Sequence, residues 1–366
     1  MAGAAPSEVL ERTGWARSVG GSNPYLTLFA RAGTSRGDAD KAVSALDIYE
    51  LPSARGCTYV LPKAHFGLGL HVGEGAPEAE LRTLDKLGVT RKEIDQLCAA
   101  VLDVLPDKGS LDPAKLKDKL GDAVRNLGEE GKRKGATTTL PAALGLLQAQ
   151  GLIRRVPSNG RLDQQRYSYA KWTPPPFDGD AAKELARLYF DWIAPAALGH
   201  FRWFSAFSAA TTKAALPPLT EVDGLFLPPA LLKDFEAYRV PSKPFYNLLA
   251  GIDALILLRR DHHALIDVDV TVPGDTKSLL NQPDLPDHPI VDRGRVVGLW
   301  QYDAEAGRIV SWVFGAGPDA KRDKALGEAI EKTEAFIRDE LGDARSFSLD
   351  SPKSRAPRLA ALRSAG

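Results

Sequence analysis

The chain has 366 residues and carries 47 Lys+Arg against 47 Asp+Glu, so its formal net charge is zero. That excludes a histone-like or ribosomal type of protein, whose whole surface would be a polycation. At roughly 150 residues per domain the length gives about two or three domains, and 44% hydrophobic with 26% charged residues is the composition of a chain that forms a sizeable core. No run approaches the ~18–20 apolar residues that span a bilayer. The opening residues turn polar at Ser7 and Glu8 with no apolar secretory segment. Two cysteines, Cys57 and Cys98, are too few for a disulfide framework or a Cys-rich zinc site, which points to a reducing, cytoplasmic setting.

Residues 1–88 mix short helical and extended signals. Residues 24–29 lead into a turn region at 33–40, residues 41–49 read as a helix, and 57–61 as a strand closed by Pro62. A helix over 77–87 follows Gly73-Glu74-Gly75. Residues 89–173 are more legible. Thr90 with Glu93 makes a capping box ahead of a helix at 94–105. Asp112-Pro113 opens a second helix, stopped by Gly121, and Thr138 or Thr139 can cap a third that runs to Gln150 and Gly151. Residues 152–156, the Asn159-Gly160 turn and residues 166–169 then give strand, turn, strand. Three helices and a hairpin in this order predict a winged helix-turn-helix.

After the Pro174-Pro175-Pro176 linker, helices are expected at 180–192 and 194–209 and a hairpin at 219–227, a further winged-helix-like unit ending near 260. Residues 261–345 read as a β-rich unit, with strands at 264–272, 289–291, 295–302 and 308–314 and a closing helix at 321–341. Residues 346–366 read as a loose tail. The fold expected is therefore α+β, with tandem winged helix-turn-helix units (1–88, 89–173, 174–260) and a C-terminal β-rich unit.

Charge is unevenly spread. Residues 113–172 hold 12 basic and 5 acidic side chains, so this segment marks where a polyanion would land. Lys132, Arg133 and Lys134 with Thr137 and Thr138 precede the third helix, and Arg154, Arg155, Arg161 and Arg166 lie on the expected wing. Cations, hydroxyls and helix amides of this kind contact phosphates. The alternative is a solvated basic face that serves solubility. Residues 140–150 are mostly Leu, Ala and Gly, so the third helix lacks side chains that read base edges, which favours shape or damage recognition over an operator sequence.

Four strings in register carry a resemblance: Gly151-Leu152-Ile153-Arg154-Arg155; residues 187–197 followed by Phe201-Arg202-Trp203-Phe204-Ser205; residues 248–261; and residues 291–300. Together they resemble the bacterial AlkZ/YcaQ-type family of interstrand-crosslink-repair DNA glycosylases. The resemblance implies tandem winged helices with a C-terminal β-rich unit, and it covers most of the chain from about Pro24 to Gly315. It also implies a Gln-x-Gln pair shortly before a Pro-Tyr-Leu segment, whose carboxamides orient the water that attacks the sugar carbon of a cationic, alkylated nucleoside. Laying residues 23–31 on that segment puts Arg17 and Val19 at the two glutamine positions. Valine offers no hydrogen bond, and Asn23 is the nearest carboxamide. Gln148-Ala149-Gln150 repeats the spacing but reads as an exposed helix end before Gly151.

Other groups have structural readings. Tyr189, Phe190, Trp192, Phe201, Trp203, Phe204 and Phe207 recur as a buried helical face rather than as platforms for an extruded base. His262 and His263 with Asp261, Asp267 and Asp269 alternate over both faces of the expected strand, which disperses them as metal ligands. Asp253 and Asp261 fix backbone or arginines, and Arg55, in an Arg-Gly-x-x-x-Val string, holds a carboxylate or a phosphate. No dinucleotide loop, Walker sequence, Gly-x-Ser-x-Gly or His-Glu-x-x-His occurs, and no metal or organic cofactor is expected. The expectation is a monomer that binds double-stranded DNA, alkylated or crosslinked, and resembles a monofunctional glycosylase whose motif is atypical or lost. Two alternatives stand: a non-catalytic winged-helix DNA-binding or regulatory protein, and a helical interaction module.

Overall fold

The structure, a computed structural model, describes residues 1–315 and 324–366. The chain begins with α1 (Pro6–Thr13), β1 (Ala16–Arg17), α2 (Asn23–Ala32) and α3 (Arg36–Ser44), then β2 (Ile48–Pro52), β3 (Thr58–Pro62) and α4 (Phe66–Gly73). The three strands form one antiparallel sheet in the order β1-β3-β2. The expected helix at 41–49 is displaced. Ser35 accepts the Asp38 amide and starts the helix at Arg36, and Leu46, at φ +60°, turns the chain so that residues 48–52 pair with β3. The segment 24–29 is helical.

Next come α5 (Glu78–Asp85), α6 (Arg91–Val104), α7 (Pro113–Leu120), α8 (Gly128–Arg133), α9 (Leu140–Ala149), β4 (Ile153–Pro157) and β5 (Tyr167–Lys171). Thr90 and Asp112 cap α6 and α7 through the Glu93 and Lys115 amides. Leu111 bridges Tyr169, adding a third strand position to the β4–β5 hairpin. Thr139 precedes α9 but bonds sideways, accepting the Arg125 amide at 3.1 Å. A separate apolar core joins Ile94, Leu97, Val101, Leu116, Leu140, Leu144 and Leu147. The helix α9 is buried nearly all round, because it also packs against α4 and β2. Gln148 is buried and donates to Leu144 O, which corrects its reading as an exposed helix end.

The third stretch holds α10 (Ala181–Ile193), capped by Asp180, α11 (Leu198–Ser205), α12 (Ala209–Ala215), β6 (Thr220–Val222), β7 (Leu225–Leu227) and α13 (Leu232–Ala237). The expected single helix over 194–209 is broken, since Ala206 closes α11 at φ +59° and Ser208 caps α12. Tyr189, Phe190, Phe201 and Phe204 join the largest core, which draws on residues before 71 and after 184 alike.

The C-terminal part contains β8 (Tyr246–Leu248), α14 (Ala254–Arg259), α15 (His262–Leu265), β9 (His288–Asp292), β10 (Arg295–Asp303), β11 (Arg308–Val313), α16 (Lys324–Phe336) with a π turn at Ile337–Leu341, and α17 (Pro352–Ala365). The sheet runs β11-β10-β9-β8. Two expectations fail here. Asp261 accepts the Ala264 amide and starts a helical turn, so the segment 264–272 is not a strand. The loose tail is α17, packed on β10 and β11. Residues 321–323 of the expected closing helix lie outside the described residues. The whole is a mixed helix-and-sheet, α+β protein.

Candidate functional site

The stretch from Arg17 to Asn23 leaves the edge strand β1 and enters α2 through two glycines. Arg17 pairs with Tyr59 across the sheet, and its guanidinium donates to Thr58 O at 2.6 Å and to Ser18 O at 3.1 Å. Ser18, 2% exposed, donates to the carboxylate of Glu50, itself 6% exposed in the middle of β2. Tyr167 of β5 also hydrogen-bonds Glu50, and burial raises the phenol's pKa well above its ordinary value, so it donates rather than ionises. Arg155 stands 5.0 Å from the Tyr167 ring, and its buried Nε has no hydrogen-bond partner among the described residues. Arg154 donates to Tyr49 OH at 3.0 Å. The hairpin β4–β5 therefore faces β2, and Ser18, Glu50, Tyr167 and Arg155 form one polar chain between them.

Asn23, 1% exposed at the start of α2, donates from Nδ2 to Arg17 O at 2.5 Å, whereas its Oδ1 is buried without a partner. A buried acceptor of this kind is costly to leave unmet. Gly20 and Gly21 are tightly covered: a β-carbon on Gly20 would overlap the Gln165 side chain, and one on Gly21 would overlap Ser346 O. Ser22 N and Oγ both donate to Arg345 O, and Ser348 N donates to Val19 O. Tyr25 OH accepts the Leu162 amide and donates to Asp40. The expected glutamine positions are thus filled by Arg17, stacked on the sheet, and Val19, half-buried, with Asn23 and Gln165 the carboxamides beside them.

The expected DNA-contacting residues separate into two groups. Lys132 and Lys134 on and just after α8 are exposed and pair with Glu129 and Glu130 at 2.6 Å and 3.2 Å, while Arg133 is exposed and has no carboxylate partner among the described residues. Thr137 accepts the Leu127 amide through its carbonyl, and Thr138 bridges Asn126. On the hairpin, Arg161 clasps Asp163 and donates to Leu341 O at 3.0 Å, so its charge is spent inside the protein. Arg166 is exposed. The third helix, α9, is too enclosed to enter a groove.

The remaining candidates settle individually. Asp253 takes a two-pronged ion pair from Arg31 at 2.7 Å and caps α14 through Leu255 N. His262 is buried, with Nδ1 donating to Leu279 O, and no group of three or more His, Cys, Asp or Glu residues fit to hold a metal occurs among the described residues. Both faces of Trp203 lie under arginines, which removes it as a base-stacking platform. Sequence reasoning missed Ser18, Glu50, Gln165 and Tyr167. A glutamate between Tyr49 and Leu51, read on a strand rather than at a helix end, was the signal for Glu50.

These features define a class: an α+β protein with a polar cluster buried between an N-terminal sheet and a basic hairpin. A family model described as DNA glycosylase AlkZ-like matches residues 16–336, and the chain belongs to that AlkZ-like DNA glycosylase family. Among solved structures it is similar to the Streptomyces sahachiroi DNA glycosylase AlkZ, with 20% identity, a TM-score of 0.66, and coverage of 94% of this chain and 93% of that one. At that identity the likeness is one of fold. No curated protein matches the chain. The family span includes Arg17, Asn23, Glu50 and the hairpin, and ends before the 345–348 segment. No helix among the described residues is long and apolar enough to cross a membrane.

Proposed function

We propose that the chain binds double-stranded DNA and hydrolyses the N-glycosidic bond of alkylated or crosslinked bases. Residues 89–173 act in this reading as a winged helix-turn-helix with β4–β5 as the wing, flanked by further winged-helix-like units and the C-terminal sheet. Arg133, Arg154, Arg155 and Arg166, with Lys132, Lys134, Thr137 and Thr138, meet phosphates. The observation that carries the reading is the buried, unpartnered Asn23 Oδ1, the carboxamide held against Arg17, which occupies one of the expected glutamine positions.

A cationic 7-alkylguanine is already a good leaving group, so modest assistance suffices. The C1′–N9 bond breaks with its electron pair going to the base, which leaves neutral. Water held by Asn23 Oδ1 adds to C1′, and its proton passes to the Glu50 carboxylate. Substrate binding has to open the cover formed by Gln165 and residues 345–348, a motion of the gating kind.

Incubation with duplex carrying 7-methylguanine or a crosslink, scored as abasic sites, tests the reading. The protein is expected to release the base, and Asn23→Ala to slow release by about 10²-fold. No release by the unaltered protein ends the catalytic reading and leaves the non-catalytic DNA-binding one. That second reading is favoured by the guanidinium of Arg17 standing where a carboxamide is expected.

A further inference from the structure

Away from the hairpin, two arginines close on one indole. Trp203 projects from α11, which lies between the short 3-10 turn Ala54–Gly56 and α14. Its ring centroid is 3.6 Å from Arg55 Cζ and 4.0 Å from Arg260 Cζ. Two planar guanidiniums that near cannot share one face without overlapping, so they stand on opposite faces. Their Cζ atoms are then at most about 7.6 Å apart, the two centroid distances laid end to end.

Like charges repel at that separation, and attraction of each guanidinium to the indole face offsets that repulsion. Arg55 is exposed and has no carboxylate partner among the described residues. Arg260 has one, Asp284 at 3.0 Å, which is itself largely solvent-exposed. Both arginines hold left-handed backbone, at φ +58° and +44°, a conformation that is costly for any residue with a β-carbon. Such strain concentrates at ligand clamps.

The stack uses the faces of the guanidiniums. Their N–H donors lie in the planes; Asp284 takes one from Arg260, and the donors left at the edges have the geometry that meets phosphate oxygens in pairs. Two such edges, one on each side of the indole, fit two phosphates in succession along a strand, one to each guanidinium. Trp203 is the spacer that sets the gap and holds both planes.

We propose that Arg55, Trp203 and Arg260 form a phosphate clamp that receives the sugar-phosphate backbone of duplex DNA, at a place distinct from the β4–β5 hairpin. The clamp rests on the DNA-binding reading above for its ligand, and not for its phosphate chemistry. Arg55 is thereby assigned to a phosphate rather than a carboxylate.

The test uses the full chain with Arg55→Asn and Arg260→Asn, because asparagine tolerates left-handed backbone and both variants are expected to fold. Binding of a fluorescein-labelled undamaged duplex is followed by anisotropy across a salt series, and binding of inorganic pyrophosphate by calorimetry. Each variant is expected to bind duplex about tenfold more weakly, with the slope of log affinity against log salt reduced by about one. Pyrophosphate binding is expected in the unaltered protein and lost in either variant. Unchanged duplex affinity and slope in both variants overturn the clamp and leave the DNA reading standing. Duplex binding absent from the unaltered protein, with pyrophosphate bound and lost in the variants, overturns the DNA reading and upholds the clamp. Failure to bind either probe overturns both.

Discussion

His288 on β9 has both ring nitrogens engaged in a way that only the neutral form satisfies. Nδ1 accepts the Gly251 amide at 2.8 Å, Nε2 donates to Ala344 O at 2.9 Å, and the ring lies 4.5 Å from that of Trp300. Burial, ahead of any nearby charge, pushes its pKa down to about 4. Protonation of Nδ1 would turn an acceptor into a donor facing an N–H. Because the folded pKa lies below the unfolded one, the unfolded chain binds more protons between about pH 6.5 and 4, and stability falls as pH is lowered through that window. Urea unfolding should show a loss of about 2 kcal/mol from His288 between pH 6.5 and 5. His288→Asn should be less stable at pH 7 yet lose less on acidification, by about that amount. Equal slopes for the two proteins would remove His288 as the source. His65, whose Nδ1 accepts from Trp15 and whose pKa burial also lowers, contributes in the same sense and is common to both proteins. Asp287, raised by burial, acts in the opposite sense near the carboxylate range, which is why the comparison stops at pH 5.

Elements declared by local chemistry were legible in the sequence, and those decided by distant partners were not. Asp112-Pro113 and Thr90 cap helices because the side-chain oxygen meets an amide three residues on, a contact the sequence itself contains. The stretch 264–272 alternates apolar and polar residues as a strand does, but a strand needs a neighbouring edge, and Asp261 offers a helical turn instead. The C-terminal helix α17 hid for another reason: its apolar stripe is narrow and Pro357 interrupts it. Its weight is nonetheless real. Leu362 is fully buried beside Leu299 and Ile266, and Arg355 makes a two-pronged pair with Asp343 at 2.8 Å. Leu362→Ala should cost about 2–5 kcal/mol in urea unfolding, where a dangling tail would show no change. In the site, the family's motif position could be found by register with residues 23–31. Glu50 could not, because its partners Ser18 and Tyr167 are 32 and 117 positions away and only folding brings them together.

At the scale of the whole molecule, neutrality arises from acids placed beside the basic residues as well as from distant ones. Lys132 on α8 and Lys134 just after it are answered by Glu129 and Glu130, Arg161 by Asp163, and Lys171 by Asp107. The α8 pairs are exposed, so each contributes little to stability and screens readily in salt. Their effect is on the field that a polyanion meets: at and just after α8, in the stretch from Glu129 to Lys134, three cations are offset by two carboxylates. Removing the carboxylates leaves the fold intact and exposes the cations. Glu129→Gln with Glu130→Gln should therefore tighten binding to undamaged duplex several-fold at low salt and steepen the salt slope by about one to two, with the gain fading as ionic strength rises. Anisotropy across a salt series measures both. An affinity that does not move would place α8 away from the nucleic acid and leave the hairpin arginines and the Arg55–Arg260 clamp to carry the contact. A gain that persists at high salt would instead signal a conformational effect, because an exposed charge acts over only about 10 Å at 0.1 M salt.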